Sequence, residues 1–245
     1  MAIPRFYCPD RLLLEQGGEL PAEVARHALR VLRLKKGDEI VVFDGAGGEF
    51  RSRVGIAERD RAWIEPGVHE AVERESPLHI VLVQSLCASD KMDWIVQKAV
   101  ELGVGSIVVA SMARSVVQLS PERRDRRLEH WRQVMVSAME QCGRNRMPSL
   151  GFLSRLPDME GYLPKQGLRC LLAPDGSGSW HGLSLPDKTV TVMVGPEGGF
   201  TEEEEQCAIR LGFLALRAGP RIMRTETAGL AVLAALQFGF GDWRG

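Results

Sequence analysis

Two short glycine-bearing stretches constrain this chain more than any other feature. Residues 195–199 read Gly-Pro-Glu-Gly-Gly, and residues 219–228 read Gly-Pro-Arg-Ile-Met-Arg-Thr-Glu-Thr-Ala. Each follows an apolar run of strand character, Thr189 to Val194 and Phe213 to Leu216, and each precedes a run with helical spacing. Glycine at the carboxyl end of a strand lets main-chain amides and carbonyls approach a flat ligand with no Cβ in the way. One such loop is ordinary in an α/β protein. Two in succession predict a pocket built from main chain.

The rest of the chain is organised around these loops. The charged, weakly patterned stretch at residues 65–77, punctuated by Glu65-Pro66-Gly67 and Ser76-Pro77, marks a boundary between domains at 1–72 and 73–245. Before it, Ile40 to Phe43 runs into the turn signal Asp44-Gly45-Ala46-Gly47-Gly48. Phe50, Ser52, Val54 and Ile56 then alternate with Arg51, Arg53 and Gly55, the period of a half-exposed strand, and Ala62-Trp63-Ile64 continues the pattern. A short helix with Val24, Ala28, Leu29 and Leu32 on one side precedes them, so the expectation is a small β-barrel-like module. After the boundary, strands at His79–Gln84, Ser106–Ala110, Arg169–Ala173, Thr189–Val194 and Phe213–Leu216 alternate with helices. Asp90 is placed to cap a helix whose Met92, Ile95, Val96, Ala99 and Leu102 share a face. Ser120-Pro121 opens a long helix striped by Leu128, Trp131, Met135, Ala138 and Cys142. Thr201 with Glu204 reads as a capping box. Ala228 to Phe238 is apolar nearly all round, which implies burial, against a second subunit where the chain itself does not cover it. Alternation of this kind predicts a largely parallel sheet with flanking helices.

Several chemistries are disfavoured. The five cysteines are scattered without C-x-x-C spacing and the five histidines without H-x-x-x-H, so a metal site or a disulfide framework is not expected. Gly176-Ser177-Gly178 begins like a dinucleotide fingerprint but has His181 where the last glycine belongs, and no triphosphate-binding glycine loop occurs. Glu197 and the run Glu202 to Glu205 crowd the first loop with carboxylates, which opposes a phosphate there and suits a positively charged ligand. A tight strand-to-helix turn with no ligand is the plainer reading of the same residues. The amino terminus lacks a signal-peptide core and no apolar run reaches membrane-spanning length, so a reducing cytoplasm is the expected location. Net charge is −1, so any contact with nucleic acid rests on local patches.

Val194 to Phe200 and Gly219 to Ala228 resemble the signature loops of the ribosomal RNA small subunit methyltransferase E family. So do Gln84-Ser85-Leu86, Lys91 to Lys98, Glu101-Leu102-Gly103, Arg114-Ser115-Val116-Val117, Glu140-Gln141-Cys142 with Arg144, Pro4-Arg5-Phe6, His27, Arg30 to Arg33, and Asp44-Gly45. Ala88-Ser89-Asp90 departs from the family's more usual Lys-Gly-type turn. The resemblance covers essentially the whole chain. It implies a PUA-like barrel followed by a SPOUT α/β methyltransferase domain knotted as a trefoil, a rare exception to unthreaded topology. It implies a homodimer that uses S-adenosylmethionine to methylate N3 of one uridine in 16S rRNA of the small ribosomal subunit. Carried over by position, the cofactor residues are Leu172, Gly195, Pro196, Glu197, Gly198, Gly199, Leu216, Gly219, Ile222, Met223 and Arg224.

Methyl transfer to an imide nitrogen requires in-line positioning, loss of the N3 proton and stabilisation of the resulting anion. Arg114, Glu140 and Arg144 are the candidates that the family pattern places on the catalytic domain, outside the cofactor loops. Their structural alternative is an i, i+4 pairing of Glu140 with Arg144 on the long helix. For RNA, the candidates are Arg5, Arg26, His27, Arg30, Arg33 and Lys35, the last five in a run with no acid between Val24 and Gly37. A solvated helix face is the ordinary meaning of such a run. Two rival functions remain at this point: a non-catalytic RNA-binding assembly factor that keeps the fold, distinguished by failure to bind S-adenosylmethionine, and a nicotinamide or flavin oxidoreductase, opposed by the missing fingerprint.

Overall fold

The computed structural model describes residues 3–178, 180 and 182–243. The chain divides into two compact units, one running to Glu75 and including Val136–Met147, the other comprising Ser76–Met135 and the chain from Pro148 onward.

The first unit holds strands β1 (Arg5–Tyr7), β2 (Gly18–Glu19), β3 (Glu39–Phe43), β4 (Glu49–Glu58), β5 (Arg61–Ile64) and β6 (Val68–Glu70) in the order β1-β3-β4-β5-β2, with β6 also paired to β4. Helices α1 (Arg11–Gln16) and α2 (Ala22–Arg26) accompany them, and α2 widens into a π-helical turn over His27–Val31. The Asp44–Gly48 turn joins β3 to β4 as expected, and the two strands pair antiparallel. Phe50, Ser52 and Val54 are buried while Arg51 and Arg53 face solvent. Ile56 departs from the expected alternation and is 46% exposed. Opposite β5, Val54 faces Ile64 and Ile56 faces Trp63, so one extra residue sits at Gly55; the bulge reverses which face the next side chain takes. Leu32 leaves its expected stripe for a similar reason, because the wider π turn rotates it outward. Phe6, Leu14, Ala28, Ile40, Val42, Phe50, Val54 and Ile64 form the core.

The second unit is a six-stranded sheet of β7 (His79–Ser85), β8 (Ser106–Ala110), β9 (Ser149–Leu153), β10 (Leu168–Leu172), β11 (Thr189–Val194) and β12 (Leu214–Leu216). Every pairing is parallel and the order is β12-β10-β11-β7-β8-β9. Ile80 to Ser85 are all buried, as a strand covered on both faces requires. The helices are α3 (Ser89–Glu101), α4 (Pro121–Cys142, whose residues from Val136 belong to the first unit), α5 (Glu202–Arg210) and α6 (Thr225–Phe240). Helix α3 begins two residues earlier than a cap at Asp90 would place it, with Ala88 as its N-cap, so Asp90 lies in the first turn, where its charge complements the helix dipole. Gly103, at φ +78°, follows its end. In α4, Trp131 is buried and its indole N–H donates to Asp93 Oδ1 at 3.1 Å.

From β7 the chain proceeds outward to β8 and β9, then returns on the other side of β7 to lay down β10, β11 and β12. Such a reversal leaves a crevice at the carboxyl ends of the strands. The register sets Leu216 beside Leu172, Leu172 beside Val194, and Val194 beside Gln84, so both glycine loops leave the sheet along one edge. Helix α6 packs on α3, β11 and β7, burying Gly229, Val232, Leu233, Leu236 and Gln237. Within the run Ala228–Phe238, Ala231, Ala235 and Phe238 are exposed in the single chain, so the chain itself does not cover the helix all round, and Phe240 beyond it is exposed as well.

The capping box on α5 forms as expected. Thr201 Oγ1 accepts from Glu204 N at 3.2 Å and Glu204 Oε2 accepts from Thr201 N at 2.9 Å, while Glu204 Oε1 also accepts from Ala113 N at 2.8 Å. Thr201→Ala is expected to lower unfolding stability by about 1 kcal/mol in a urea titration. An unchanged midpoint would show that the cap contributes nothing.

Candidate active site

A cleft of about 710 Å³ opens over the carboxyl ends of β10 and β11, within the size range of small-molecule sites. Leu172 and Val194 lie at its floor, and residues 195–200 and 222–225 line it together with Lys91, Arg114, Asp175 and Glu205. A smaller cavity of about 80 Å³ shares Leu172, Pro174, Ile222, Met223 and Ala228 with it and adds Leu216 and Gly219. Every residue nominated for the cofactor, from Leu172 to Arg224, lines one or both.

The first loop is held by its carbonyls. Thr225 Oγ1 donates to Gly195 O at 2.7 Å, and Arg114 Nη1 donates to Gly198 O at 3.2 Å and to Phe200 O at 3.0 Å. Gly199 N donates to Pro196 O at 2.9 Å, closing a turn in which Gly199 has φ +71°. A Cβ built on Gly199 would meet nothing within 4 Å, so its backbone faces open space. A β-branched residue at that φ would be a steric outlier.

Charge is distributed asymmetrically. Lys91 Nζ donates to Glu197 Oε1 at 3.2 Å and lies 3.3 Å from Glu226 Oε2, an ion-pair contact without hydrogen-bond geometry. The two carboxylates hold the Lys91 ammonium above its ordinary pKa. Burial pushes Glu226 up, but its place at the start of α6 and its contact with Lys91 outweigh this and leave it below the usual carboxylate range. Glu205 is raised, first by burial and then by Asp175 across the cleft. Among the described residues, neither Glu205 nor Asp175 has an ion-pair partner, so a cation entering the cleft would relieve their repulsion.

Of the three catalytic candidates, Arg114 lines the cleft; Glu140 and Arg144 do not, and both belong to the first unit. Glu140 Oε1 accepts from Tyr7 N at 3.0 Å; burial raises its pKa, opposed by that amide and by His27 and Arg5. Arg144 forks onto Glu75, with Nε 3.0 Å and Nη2 2.5 Å from Oε2, and is 4% exposed. Glu140 and Arg144 do not share a helical i, i+4 face, because α4 ends at Cys142 and Gly143 turns the chain with φ +86°. The RNA candidates divide as well. Arg5 is held by Glu49 and Asn145 Oδ1, each at 2.6 Å. Arg30 forks onto Asp60, with Nη2 2.7 Å from Oδ2 and Nε in closer contact with Oδ1. The His27 ring meets Phe6 edge-on. Arg26, Arg33 and Lys35 are exposed, with no side-chain ion pair among the described residues. Sequence reasoning passed over Lys91, Glu205 and Thr225 as site residues; the first lies within the Lys91–Lys98 signature and the last opens the terminal helix. Among the described residues no cluster of three metal-ligating side chains occurs and no helix is long and apolar enough to cross a membrane.

A family model described as an RNA methyltransferase domain matches residues 74–237, and one described as an RNA methyltransferase PUA domain matches residues 20–66. The chain is 32% identical to the ribosomal RNA small subunit methyltransferase E of Buchnera aphidicola subsp. Schizaphis graminum, over 98% of each protein. It is 28% identical to the protein of that name from Bacillus subtilis, over 89% of each. Among solved structures it is similar to a ribosomal RNA small subunit methyltransferase E from Neisseria gonorrhoeae bound to S-adenosyl methionine, with 38% identity, a TM-score of 0.91, and coverage of 99% of this chain and 100% of that one.

The fork on Glu75 separates a structural Arg144 from a catalytic one. Arg144→Ala strands Glu75 and is expected to destabilise the chain by about 3 kcal/mol, measured by chemical denaturation. Loss of methyl transfer with an unmoved denaturation midpoint would return Arg144 to the reaction.

Proposed function

Since the chain belongs to the ribosomal RNA small subunit methyltransferase E family, we propose that it transfers a methyl group from S-adenosylmethionine to N3 of one uridine in 16S rRNA. The observation that supports this most is the cleft over the register-aligned ends of β10 and β11, lined by main chain and by two acids, Glu205 and Asp175, that have no ion pair among the described residues. Bound there, S-adenosylmethionine supplies a methyl group made electrophilic by a sulfonium centre. Residues 195–199 and 219–224 hold it through backbone, Leu172 and Leu216 supply the apolar floor, and Glu205 and Asp175 meet its positive charge. Of the three cations that line the cleft, Lys91 is held by Glu197 and Glu226, which leaves Arg114 and Arg224 to face the charge spreading onto the uracil carbonyls as N3 loses its proton. Glu140 and Arg144 serve the packing of the first unit. That unit is the RNA-binding domain in this reading, with Arg26, Arg33 and Lys35 as phosphate contacts. The chain works in the cytoplasm as a homodimer through the exposed face of α6 that carries Phe238 and Phe240, with its carboxyl-terminal segment threaded as the family's trefoil knot.

Incubating the purified chain with S-adenosylmethionine and small ribosomal subunits, then mapping 16S rRNA by mass, tests the reaction. One methyl on uracil N3 is expected. Cofactor binding with no methyl transferred to subunits or to free 16S rRNA would favour the non-catalytic factor. Gly199→Val is expected to weaken cofactor binding by about a hundredfold or more, because a β-branched residue forces the loop out of its φ of +71°. Unchanged affinity in calorimetry would remove that turn from the site. Replacing Arg26, Arg33 and Lys35 by Ala is expected to lower the salt dependence of RNA binding, by roughly one in log–log slope for each phosphate no longer neutralised, with cofactor affinity preserved. An unaltered slope would make them solvated surface charges.

A further inference from the structure

Beneath the cleft lies a buried polar chain that touches neither face of the ligand space with a charge. Gln84, on β7, is fully buried in the same register row as Val194. Its Nε2 donates to Thr225 Oγ1 at 2.9 Å and to Ser85 O at 3.2 Å. Thr225 Oγ1 in turn donates to Gly195 O at 2.7 Å, and Ser85 Oγ donates to Val194 O at 2.7 Å. The directions are forced. Gly195 O only accepts and a hydroxyl has one proton, so Thr225 must take its second bond from a donor, which is the Gln84 amide nitrogen. Gln84 Oε1 is consequently turned away and has no hydrogen-bond partner among the described residues. It faces Gly229 of α6, where an added Cβ would lie 3.5 Å from it, 3.2 Å from Val194 Cγ2 and 3.3 Å from Leu82 Cδ1. A buried acceptor left unsatisfied is unfavourable, and it persists here because flipping the amide would break the bond to Thr225.

We propose that Gln84 and Thr225 form a latch that fixes the two cofactor loops relative to each other, which makes them positioning residues for the methyl donor. The inference rests on the reading of the cleft as the donor site. Thr225 directly follows the second loop in the chain, and its side chain grips the first residue of the first loop, so the hydroxyl joins segments about thirty residues apart at one point. Gln84 anchors that point to the centre of the sheet, and Gly229 lets α6 approach β11 and β7 closely enough for the hydroxyl to reach. Ordering both loops before the donor arrives lowers the entropic cost of binding. Without the hydroxyl, Gly195 O and Gln84 Nε2 both lose their partner in a buried place, and each loop is free to relax from the other.

Calorimetric titration of the full chain with S-adenosylmethionine, together with separate KM values for donor and RNA, tests the latch. Thr225→Val keeps the shape and removes the hydroxyl; donor affinity is expected to fall by about tenfold or more, with a matching rise in donor KM and an unchanged RNA KM. Thr225→Ser keeps the hydroxyl and is expected to restore donor affinity to within about threefold of the original. Gln84→Met, which leaves the Thr225–Gly195 bond in place but frees it from the sheet, is expected to fall between the two, and it carries the test if Thr225→Val does not fold. A lower ligand-free melting temperature with undiminished donor affinity in the variants, or failure of Thr225→Ser to restore binding, would overturn the latch while leaving the cleft as the donor site. Absence of donor binding by the unaltered chain would overturn the reading of the cleft, and the latch with it.

Discussion

Parallel pairing at the sheet's carboxyl edge is the constraint on which the rest depends. Because β10 pairs with both β11 and β12 in matched register, Leu216, Leu172 and Val194 stand in one row, and Gln84 of β7 extends it. Loops that leave the chain more than twenty residues apart therefore begin side by side. A shift of the β11 register by one residue would turn every side chain of that strand to the other face and carry the first loop out of line with the second. The cleft follows from this alignment before any polar group is considered.

Polar groups then decide what the cleft accepts. The carbonyls of Gly195, Gly198 and Phe200 are taken by Thr225 and Arg114, and Glu197 is taken by Lys91. With these sites satisfied inside the protein, Glu205 and Asp175 are the cleft acids with no ion pair among the described residues, and Glu205 is held above its ordinary pKa first by burial and then by Asp175, against the opposing pull of Arg114. A phosphate would add to this repulsion and a positively charged donor would remove it. Fixing the carbonyls also fixes the loop, so shape and charge selectivity come from the same contacts.

Much of this was legible in the sequence because it depends on local rules. The apolar runs of β7, β8 and β11, the Thr201–Glu204 capping box, the Trp131 stripe and the glycine loops each have a short-range signature, and each stands where expected. What could not be read depends on partners far along the chain. β9 is only five residues long, with Gly151 at its centre, too short a pattern to read as a strand until β8 supplies its hydrogen bonds. Ile56 and Leu32 face solvent because a bulge and a π turn change the phase of otherwise regular patterns. Glu140 and Arg144 are four residues apart, yet Glu140 accepts from Tyr7 and Arg144 forks onto Glu75, since Gly143 ends helical spacing between them. Arg30 was indistinguishable from Arg26 and Arg33 until Asp60 came to meet it.

A crystal structure of the chain grown with S-adenosylmethionine tests the central claim most directly. The account predicts the donor lying over the Leu216–Leu172–Val194 row, its backbone contacts drawn from residues 195–199 and 219–224, with Thr225 still bound to Gly195 O. Donor density elsewhere on the molecule, or a cleft that stays empty at saturating donor, would contradict it.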